Sequence, residues 1–335
     1  MKQYKEMIKT ILETGEVSTD RTGVGTIRIP GYSMKFDLSD GSVPIVTGKR
    51  TAYRTAIKEL LWFINGEQNL KTLLEQNVHI WTEWKFKRYI EGKCPENEKY
   101  TGPVFPDNWT VLKDKDEEFA KLYREQLDIF EQKILNDEIT SRELTVYEDI
   151  YGNAWKYNKH VEMNNMNTQE QEVVVNIVDQ LDITQKLIKS KSDSRRIILN
   201  SWNTASVPYV DLPPCVFSIQ FLVINDKLHM IVNQRSADSI LGVPFDLAEY
   251  GIFLHMMGAI SGLQVGTMTY NFGDTHIYQN HIDQAKEYLS RELYDLPKIE
   301  FTKDLLGEDI RNIKLEDIKI NGYKCGDAIK ASVAI

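Results

Sequence analysis

Residues 212–250 read LPPCVFSIQFLVINDKLHMIVNQRSADSILGVPFDLAEY, and this stretch decides the fold. Two runs rich in β-branched and aromatic residues, 216–224 and 227–232, flank an Asn-Asp turn signal and are typical of paired β-strands. The segment 247–261 is apolar nearly all round, as a buried helix is. The stretch therefore predicts a sheet covered by a buried helix.

The same stretch carries a candidate nucleophile. Cys215 follows two prolines that restrict the backbone, and a Gln-Arg-Ser-Ala-Asp box begins at Gln234. A cationic neighbour stabilises the thiolate, which is the reactive form of cysteine. Arginine also binds phosphate in fork geometry, so the box suggests a phosphorylated substrate. Taken alone, Cys215 would more often be a small buried hydrophobic residue.

Composition argues against several classes of protein. A net charge of −9 and a pI near 5.3 disfavour electrostatic binding to nucleic acid, which needs a basic face. The chain shows no secretory signal and no apolar run of about 20 residues, so we expect a cytoplasmic protein without a membrane span. Three scattered cysteines and six histidines without metal-ligand spacing predict free thiols and no metal site.

The chain reads as a single domain, residues 1–335, with helices that flank a mixed sheet. The expected fold class is therefore α/β (α+β). Residues 52–76 have apolar side chains at helical spacing and predict one major core helix. Residues 85–145 are hydrophilic and predict a surface insert, partly helical at 117–136.

Beyond this stretch, blocks along nearly the whole chain resemble the thymidylate synthase family. Several blocks in the right order are far more specific than a lone short motif. The blocks are DRTGVGT at 20–26, VPIVTGKR at 43–50, KELLWFINGE at 58–67, HIWTEW at 79–84, IYGNAW at 150–155, DSRRIILNSWN at 193–203, FGDTHIYQNH at 272–281 and ASVAI at 331–335.

The resemblance implies a large six-stranded mixed sheet with flanking helices, in a homodimer whose subunits pack back to back. It also implies an enzyme that uses 5,10-methylenetetrahydrofolate as cofactor and a pyrimidine nucleoside monophosphate as substrate. Residues 85–145 align with the variable insert of the longer members of the family.

Three residues match catalytic positions of the family. The resemblance implies that the thiolate of Cys215 adds to C6 of the pyrimidine, so that C5 can attack the one-carbon donor. Tyr151 matches a tyrosine near the nucleophile. Glu59 matches a glutamate that organises water and relays protons to the exocyclic group of the ring, and partial burial would raise its pKa. A salt bridge from Glu59 to Lys58 or Lys49 is the structural alternative.

Two larger sets match binding positions. Each arginine alone would read as a solvated surface residue, but adjacent arginines before an apolar strand are costly unless an anion satisfies them. The resemblance implies that Arg195 and Arg196 reach across the dimer. The implied substrate-binding residues are Arg21, Arg195, Arg196, Gln234, Arg235, Ser236, Asp246, His276 and Tyr278. The implied cofactor-binding residues are Ile80, Trp81, Trp84, Asp238, Gly242, Phe245 and Ile335, of which the first three could also be plain core.

Two positions depart from the family where it reads the pyrimidine ring. The family has PPCH where this chain has Val216 after the cysteine, and PFN where this chain has Asp246. A uracil edge offers O4 as acceptor and N3–H as donor, which asparagine matches. A cytosine edge reverses this pattern, and a carboxyl group that can accept and donate matches it. Valine supplies no hydrogen bond to the ring's C4 oxygen.

A structural alternative exists for Asp246. It precedes an apolar helical run and has Glu249 three residues later, which is the pattern of a helix N-cap with a capping box. As a site residue, Asp246 resembles the aspartate of family members that act on cytidylate, such as the phage deoxycytidylate hydroxymethylases.

The sequence thus predicts a folate-dependent one-carbon transferase that hydroxymethylates dCMP or CMP at C5, with Cys215, Glu59, Tyr151 and Asp246 as catalytic residues. A thymidylate synthase acting on dUMP and a cytidylate C5-methyltransferase remain alternatives. A catalytically idle nucleotide- or RNA-binding regulator on the same fold is the alternative outside enzymes, but it would not need the nucleophile.

Overall fold

The computed structural model describes residues 1–19, 22–164, 172–191 and 193–333, with no side-chain detail at 160–164 and 172–174. Arg21 and Ile335, two of the expected site residues, lie outside the described residues. Within the described part, no helix is long and apolar enough to cross a membrane.

The elements follow one another in mixed order along the chain. The helices are α1 Lys2–Thr14, α2 Tyr53–Ile64, α3 Leu70–Leu74, α4 Thr82–Ile90, α5 Trp109–Lys115, α6 Glu117–Leu135, α7 Arg142–Thr145, α8 Tyr151–Lys156, α9 Gln180–Lys189, α10 Gly242–Ser261 and α11 Ile282–Ser290. The strands are β1 Glu16–Ser18, β2 Thr26–Asp37, β3 Asn158–Asn164, β4 Glu172–Val178, β5 Ile198–Asn200, β6 Val216–Ile224, β7 Lys227–Asp238, β8 Gln264–Tyr278, β9 Lys298–Phe301 and β10 Ile318–Asn321. Short 3₁₀ turns occur at Glu96–Glu98, Val207–Tyr209, Gln279–His281, Ile310–Asn312 and Leu315–Asp317.

A six-stranded sheet in the order β1-β2-β8-β7-β6-β5 organises the fold. The β7–β8 pair is parallel and the other neighbours are antiparallel, so the sheet is mixed. The predicted class, a mixed α/β fold with a six-stranded sheet and flanking helices, is confirmed. Two antiparallel pairs, β3–β4 and β9–β10, lie outside this sheet.

The register gives the sheet two different faces. One row of paired residues, Leu199, Ile219, Val232, Tyr270 and Met34, is buried at every position. Because successive side chains on a strand point to opposite faces, the neighbouring row lies on the other side of the sheet. That row is exposed or half-buried, and its members are Ile198, Gln220, Ile231, Thr269 and Lys35.

The buried face is covered chiefly by α10. This helix packs against β7, β8 and α2, and 16 of its 20 residues are buried. Trp155 of α8 stacks on Phe253 of α10, with ring centroids 5.8 Å apart and planes 6° apart, and its Nε1 donates to Ser201 Oγ at 2.9 Å. The apolar periphery of α10 is thus matched by partners on all sides, as expected for a central helix.

The predicted single helix over residues 52–76 is wrong. The structure divides it into α2 and α3, because Asn65-Gly66 ends α2 and Gly66 has φ of +69°, a left-handed conformation that terminates helices. The chain re-enters helix at Asn69, whose side chain accepts a hydrogen bond from Lys71 N at 2.9 Å. The break leaves Glu59 and Phe63 on a short helix beside the cavity described below.

Residues 85–145 fold into helices, and α6 begins at Glu117 as predicted. Their hydrophilic composition conceals a buried aromatic cluster in which Tyr89 stacks on Phe130 at 4.9 Å and Trp109 on Tyr123 at 5.5 Å. This cluster fixes α4, whose first turns carry cavity residues, against α6.

A glycine lets α8 approach α2 closely. A Cβ atom added at Gly152 would lie 2.3 Å from the backbone oxygen of Phe63 and 2.8 Å from its Cα. Backbone atoms cannot shift as a flexible side-chain end can, so only glycine permits this contact. The approach fixes the preceding residue, Tyr151, beneath the strand that begins after Cys215.

Candidate active site

A cavity of about 840 Å³ lies between the sheet, α10, α2 and the start of α4. It gathers residues that are far apart in the sequence. The expected site residues that line it are Glu59, Ile80, Trp81, Trp84, Tyr151, Cys215, Gln234, Arg235, Ser236, Asp238, Gly242, Phe245, Asp246, His276 and Tyr278. Among the described residues, no three His, Cys, Asp or Glu side chains are placed to share a metal ion.

Two expected substrate residues lie elsewhere. Arg195 and Arg196 are exposed, just before β5, and do not line the cavity of this chain. Their contribution to the site across a dimer stays a prediction.

Tyr151 holds the backbone of the nucleophile. Its hydroxyl oxygen accepts hydrogen bonds from the N–H of Cys215 at 2.8 Å and of Val216 at 3.3 Å. Burial raises the pKa of Tyr151 well above its ordinary value, so the hydroxyl keeps its proton. A hydroxyl that accepts two bonds through oxygen still has its own hydrogen to donate.

Arg235 braces the diproline that precedes the nucleophile. Its Nε donates to Pro214 O at 3.0 Å and its Nη2 to Pro213 O at 2.7 Å. The β6–β7 register shifts between Val216 and Ser218, which is a bulge directly after Cys215. The guanidinium and the bulge together fix where the strand starts and where the thiol points.

Arg235 lowers the pKa of Cys215, as expected of a cationic neighbour, but it does not make the thiol acidic. Burial raises the pKa of the thiol to about 11, and Arg235 opposes this rise only in part. The carboxyls of Asp246 and Asp238 raise it further. The free protein therefore holds Cys215 as a thiol at neutral pH.

Glu59 is buried at the inner end of the cavity. Its Oε1 accepts a hydrogen bond from Trp81 Nε1 at 2.6 Å. Burial raises the pKa of Glu59 to about 8, and repulsion from Asp246 adds to the rise, whereas the Trp81 bond lowers it. The alternative of an ion pair is wrong, because Lys58 Nζ donates to the backbone of Gln76 and Lys49 Nζ to that of Ile240.

The helix-cap alternative for Asp246 is also wrong. The helix α10 begins at Gly242, so Asp246 lies in its second turn. The turn that leads into the helix is held instead by Asp238, whose Oδ1 accepts from the N–H groups of Ile240 at 2.9 Å and Leu241 at 3.1 Å.

Asp246 is positioned by a chain of side chains from the sheet. The hydroxyl of Tyr270 donates to Gln234 Oε1 at 2.7 Å, and Gln234 Nε2 donates to Asp246 Oδ2 at 2.9 Å. Because the tyrosine occupies the amide oxygen, the amide nitrogen must face the carboxyl. Burial raises the pKa of Asp246 to about 7, with the Gln234 bond opposing the rise. The carboxyl therefore takes up a proton far more readily than an exposed aspartate does.

The sequence did not single out a second group of cavity residues. Asp274 accepts from His276 Nδ1 and from Arg28 Nη1, both at 2.8 Å. The first bond fixes the imidazole so that Nε2 remains available, and the second brings Arg28 to the cavity wall. The GDTH segment was the available signal for Asp274, but only the β2–β8 pairing brings Arg28 beside it.

The described end of the chain also lies against the cavity. Ala331 and Val333 line it. Lys113 of α5 donates to Val333 O and to Glu83 Oε2, both at 2.7 Å, and His281 Nε2 lies 2.8 Å from Ser332 O. Lys113 stands in a run of charged residues that reads as solvated surface, so sequence alone could not predict this contact.

Comparisons with known proteins extend the likeness to the whole chain. The family model described as thymidylate synthase matches residues 2–335. The thymidylate synthase of Leuconostoc mesenteroides is 40% identical over 335 residues, covering 99% of this chain and 98% of that protein. Those of Oenococcus oeni and Listeria monocytogenes are 38% and 37% identical, over 99% and 100% of this chain and 98% and 100% of those proteins.

The raised pKa of Cys215 predicts how the free protein reacts with iodoacetamide. Below the pKa the thiolate fraction, and with it the alkylation rate, rises about tenfold for each unit of pH. We expect this rise from pH 7 through pH 9 without a plateau, measured by mass spectrometry of the Cys215 peptide because Cys94 and Cys325 are also free thiols. A plateau near neutral pH would mean that Arg235 outweighs burial.

Proposed function

The chain belongs to the thymidylate synthase family, and we propose that it hydroxymethylates C5 of a cytidine monophosphate, dCMP or CMP. The family carries out folate-dependent one-carbon transfer to C5 of a pyrimidine nucleotide, with 5,10-methylenetetrahydrofolate as the donor. The choice of base and the form of the product are the new elements of the proposal.

One observation carries the choice of base, namely the carboxyl of Asp246 at the cavity wall. Its Oδ2 is tied to Gln234, whereas Oδ1 makes no hydrogen bond within the described residues. Because burial raises its pKa to about 7, this carboxyl can carry a proton that Oδ1 donates to N3 of cytosine, while Oδ2 accepts from the amino group through the lone pair that Gln234 leaves unused. Ionised Asp246 facing uracil would bring an acceptor against O4, at a cost of about 1–3 kcal/mol.

Val216 supports the same choice. The family histidine at this position belongs to the polar network around the C4 oxygen, whereas Val216 is only 1% exposed and brings no donor. A site for O4 that had lost a donor and gained an acceptor would bind uracil poorly. Val216 does not line the cavity itself, so its effect is the loss of a donor behind the site for O4. That loss and the change at Asp246 are better explained by a different base than by two independent drifts.

The remaining residues supply the steps common to the family. Cys215 adds through Sγ to C6, and Tyr151 holds its backbone while keeping a hydrogen to donate. Glu59, with its raised pKa, exchanges a proton with the group at C4 through water. Arg235 and Ser236 bind the 5′-phosphate, with Arg235 keeping one face toward the diproline carbonyls.

The mouth of the cavity fits the folate. Ile80, Trp81, Trp84 and Phe245 form an apolar wall suited to a planar ring, and the buried Nε1 of Trp84 has no hydrogen-bond partner within the described residues. The folate supplies the carbon at the oxidation level of formaldehyde. Water then adds to the transferred carbon as the nucleophile. The nucleotide, methylenetetrahydrofolate and water thus give the 5-hydroxymethyl nucleotide and tetrahydrofolate without net oxidation or reduction.

Methylation of dUMP, or of a cytidylate, is the alternative within the family. The relatives compared above bear the name thymidylate synthase, and Ala331 and Val333 lie against the cavity, where a closed tail would exclude water. A methyl product needs a hydride as well as the carbon, and the folate then leaves as dihydrofolate. The idle-regulator alternative does not account for the bracing of Cys215 by Tyr151 and Arg235.

We further propose a homodimer that completes the phosphate site. Arg195 and Arg196 are exposed before β5, the edge strand of the sheet, beside the accessible row that includes Ile198, itself 45% exposed. Packing of two such faces back to back would bury this row and bring each arginine pair toward the partner's phosphate.

The product test separates the three reactions. Purified protein is incubated with methylenetetrahydrofolate and dUMP, dCMP or CMP in parallel, and the nucleotides are identified by mass. We expect turnover with a cytidylate, a 5-hydroxymethyl product, and no rise in absorbance from dihydrofolate. A 5-methyl cytidylate with that rise would replace hydroxymethylation by methylation, and preferential methylation of dUMP would reject the proposal.

The base preference should depend on Asp246. The Asp246→Asn variant gains a donor for O4 and an acceptor for N3–H, so the ratio of kcat/KM for dUMP to that for the cytidylate should rise roughly 10- to 1000-fold. The switch should be partial because Val216 remains. Val216→His alone, which restores no match to N3, is the control and should change the ratio less. An unchanged ratio in Asp246→Asn would show that Asp246 does not read the base.

Shared sites should appear in mixed dimers. Arg195→Ala should weaken nucleotide binding, and Cys215→Ser should abolish turnover while binding survives. If arginines act across the interface, mixing the two variants should raise activity to about a quarter of normal, since random exchange makes half of the dimers heterodimers and each heterodimer has one intact site of two. Absence of rescue, with subunit exchange verified by native mass spectrometry, would contradict the shared site.

A further inference from the structure

Glu249 is a third carboxyl of the cavity, and the proposed reaction so far leaves it without a role. It lies three residues after Asp246 on α10, is 2% exposed and lines the same cavity. Its Oε1 is buried without a hydrogen-bond partner within the described residues. The capping-box interpretation of this residue fails, because it lies in the interior of the helix.

The placement of Glu249 is costly for the free protein. A buried polar group without a partner destabilises the folded protein, and an apolar side chain of the same size would avoid that cost. Burial and repulsion from Glu59 and Asp246 raise the pKa of Glu249 well above its ordinary value, which favours the protonated carboxyl. In that form it offers one carbonyl acceptor and one hydroxyl donor.

We propose that Glu249 is a further specificity-determining residue, whose carboxyl contacts the substituent at C4 of the pyrimidine. The inference rests on the proposed function, in which Cys215 addresses C6 and Asp246 addresses N3. The amino group of cytosine has two hydrogens, and Asp246 accepts only the one beside N3. The other hydrogen points toward C5 and needs a second acceptor once the ring is buried.

The neighbours of that second hydrogen favour Glu249. Val216 does not line the cavity and has no polar side-chain atom. Glu59, whose Oε1 accepts from Trp81, reaches the C4 group only through water in the proposed reaction. Glu249 lies one helical turn from Asp246, on the same cavity wall, and close enough to both Glu59 and Asp246 for their charges to affect it. Oε1 of Glu249 can therefore accept the amino hydrogen that points toward C5.

A cycle of two proteins and two ligands tests the contact directly. The ligands are dCMP and its analogue with hydrogen at C4, the monophosphate of pyrimidin-2-one deoxyriboside, and the proteins are wild type and Glu249→Met. Binding is measured by calorimetry without folate, so no turnover is needed. We expect Glu249→Met to weaken dCMP about 10- to 100-fold and the analogue less than about threefold.

Two controls separate recognition from support of the fold. The Tm of free Glu249→Met should equal or exceed that of wild type, because an unpaired buried carboxyl has been removed. Glu249→Gln, which keeps an acceptor and a donor, should bind dCMP within about threefold of wild type. Equal weakening of both ligands, unchanged binding of dCMP, or a Gln variant as weak as the Met variant would each overturn the assignment.

The outcomes also distinguish this inference from the proposed function. If wild type binds and converts dUMP in preference to dCMP, the choice of base fails, and the cycle is repeated with dUMP against the same analogue. A loss confined to dUMP would still support contact at C4, and equal losses would overturn it. If Glu249→Met does not fold, infrared difference spectra of wild type provide the test, with Glu249→Gln used to assign the band. The band of the protonated carboxyl should shift with dCMP but not with the analogue. A band that does not shift with dCMP overturns the contact.

Discussion

The orientation of one amide determines how Asp246 faces the cavity. Tyr270 on β8 donates to Gln234 on β7, and this bond forces the amide nitrogen of Gln234 toward Asp246 on α10. The parallel pairing of β7 with β8 and the packing of α10 on both strands bring these three side chains together. A carboxyl that receives this donor is fixed in place while one oxygen stays free for a ligand.

The cavity buries several ionisable groups at a cost to the free protein. Glu59, Asp246 and Glu249 are carboxyls in one enclosed space, and burial raises the pKa of each. Cys215 is a thiol for the same reason. Such groups destabilise a free protein and are retained where function requires them. A nucleotide that brings an amino group to the carboxyls and a phosphate to Arg235 would satisfy several of them at once.

Sequence patterns predicted the sheet better than the helix ends. The strand expected at 216–224 matches β6, but β7 continues from 232 to Asp238, because polar cavity residues there pair with β8 rather than follow an apolar pattern. The helix expected from 247 begins at Gly242, since Pro244 is tolerated in a first turn. Because the helix begins five residues earlier than expected, Asp246 lies in its second turn and not at its N-cap.

The sequence predicted only part of the candidate site, because some of its residues come together only in the folded chain. Family blocks identify residues such as Cys215 and Glu59 by position, and the described ones line the cavity, apart from the arginines before β5. Arg28, Lys113 and the role of Glu249 depend on contacts between distant segments, which no local pattern encodes. The pKa of Cys215 likewise depends on its burial in the fold. The neighbouring arginine alone therefore predicted a lowered pKa, whereas burial raises it.

The central claim is that Asp246 shares a proton with N3 of a bound cytosine. It is tested most directly by ¹⁵N NMR of dCMP labelled at N3 and bound to the Cys215→Ser protein. We predict that the N3 resonance moves toward the position of N3-protonated cytosine on binding, and that Asp246→Asn in the same background removes this shift. An N3 resonance that stays at its free position in saturated Cys215→Ser protein would contradict the account.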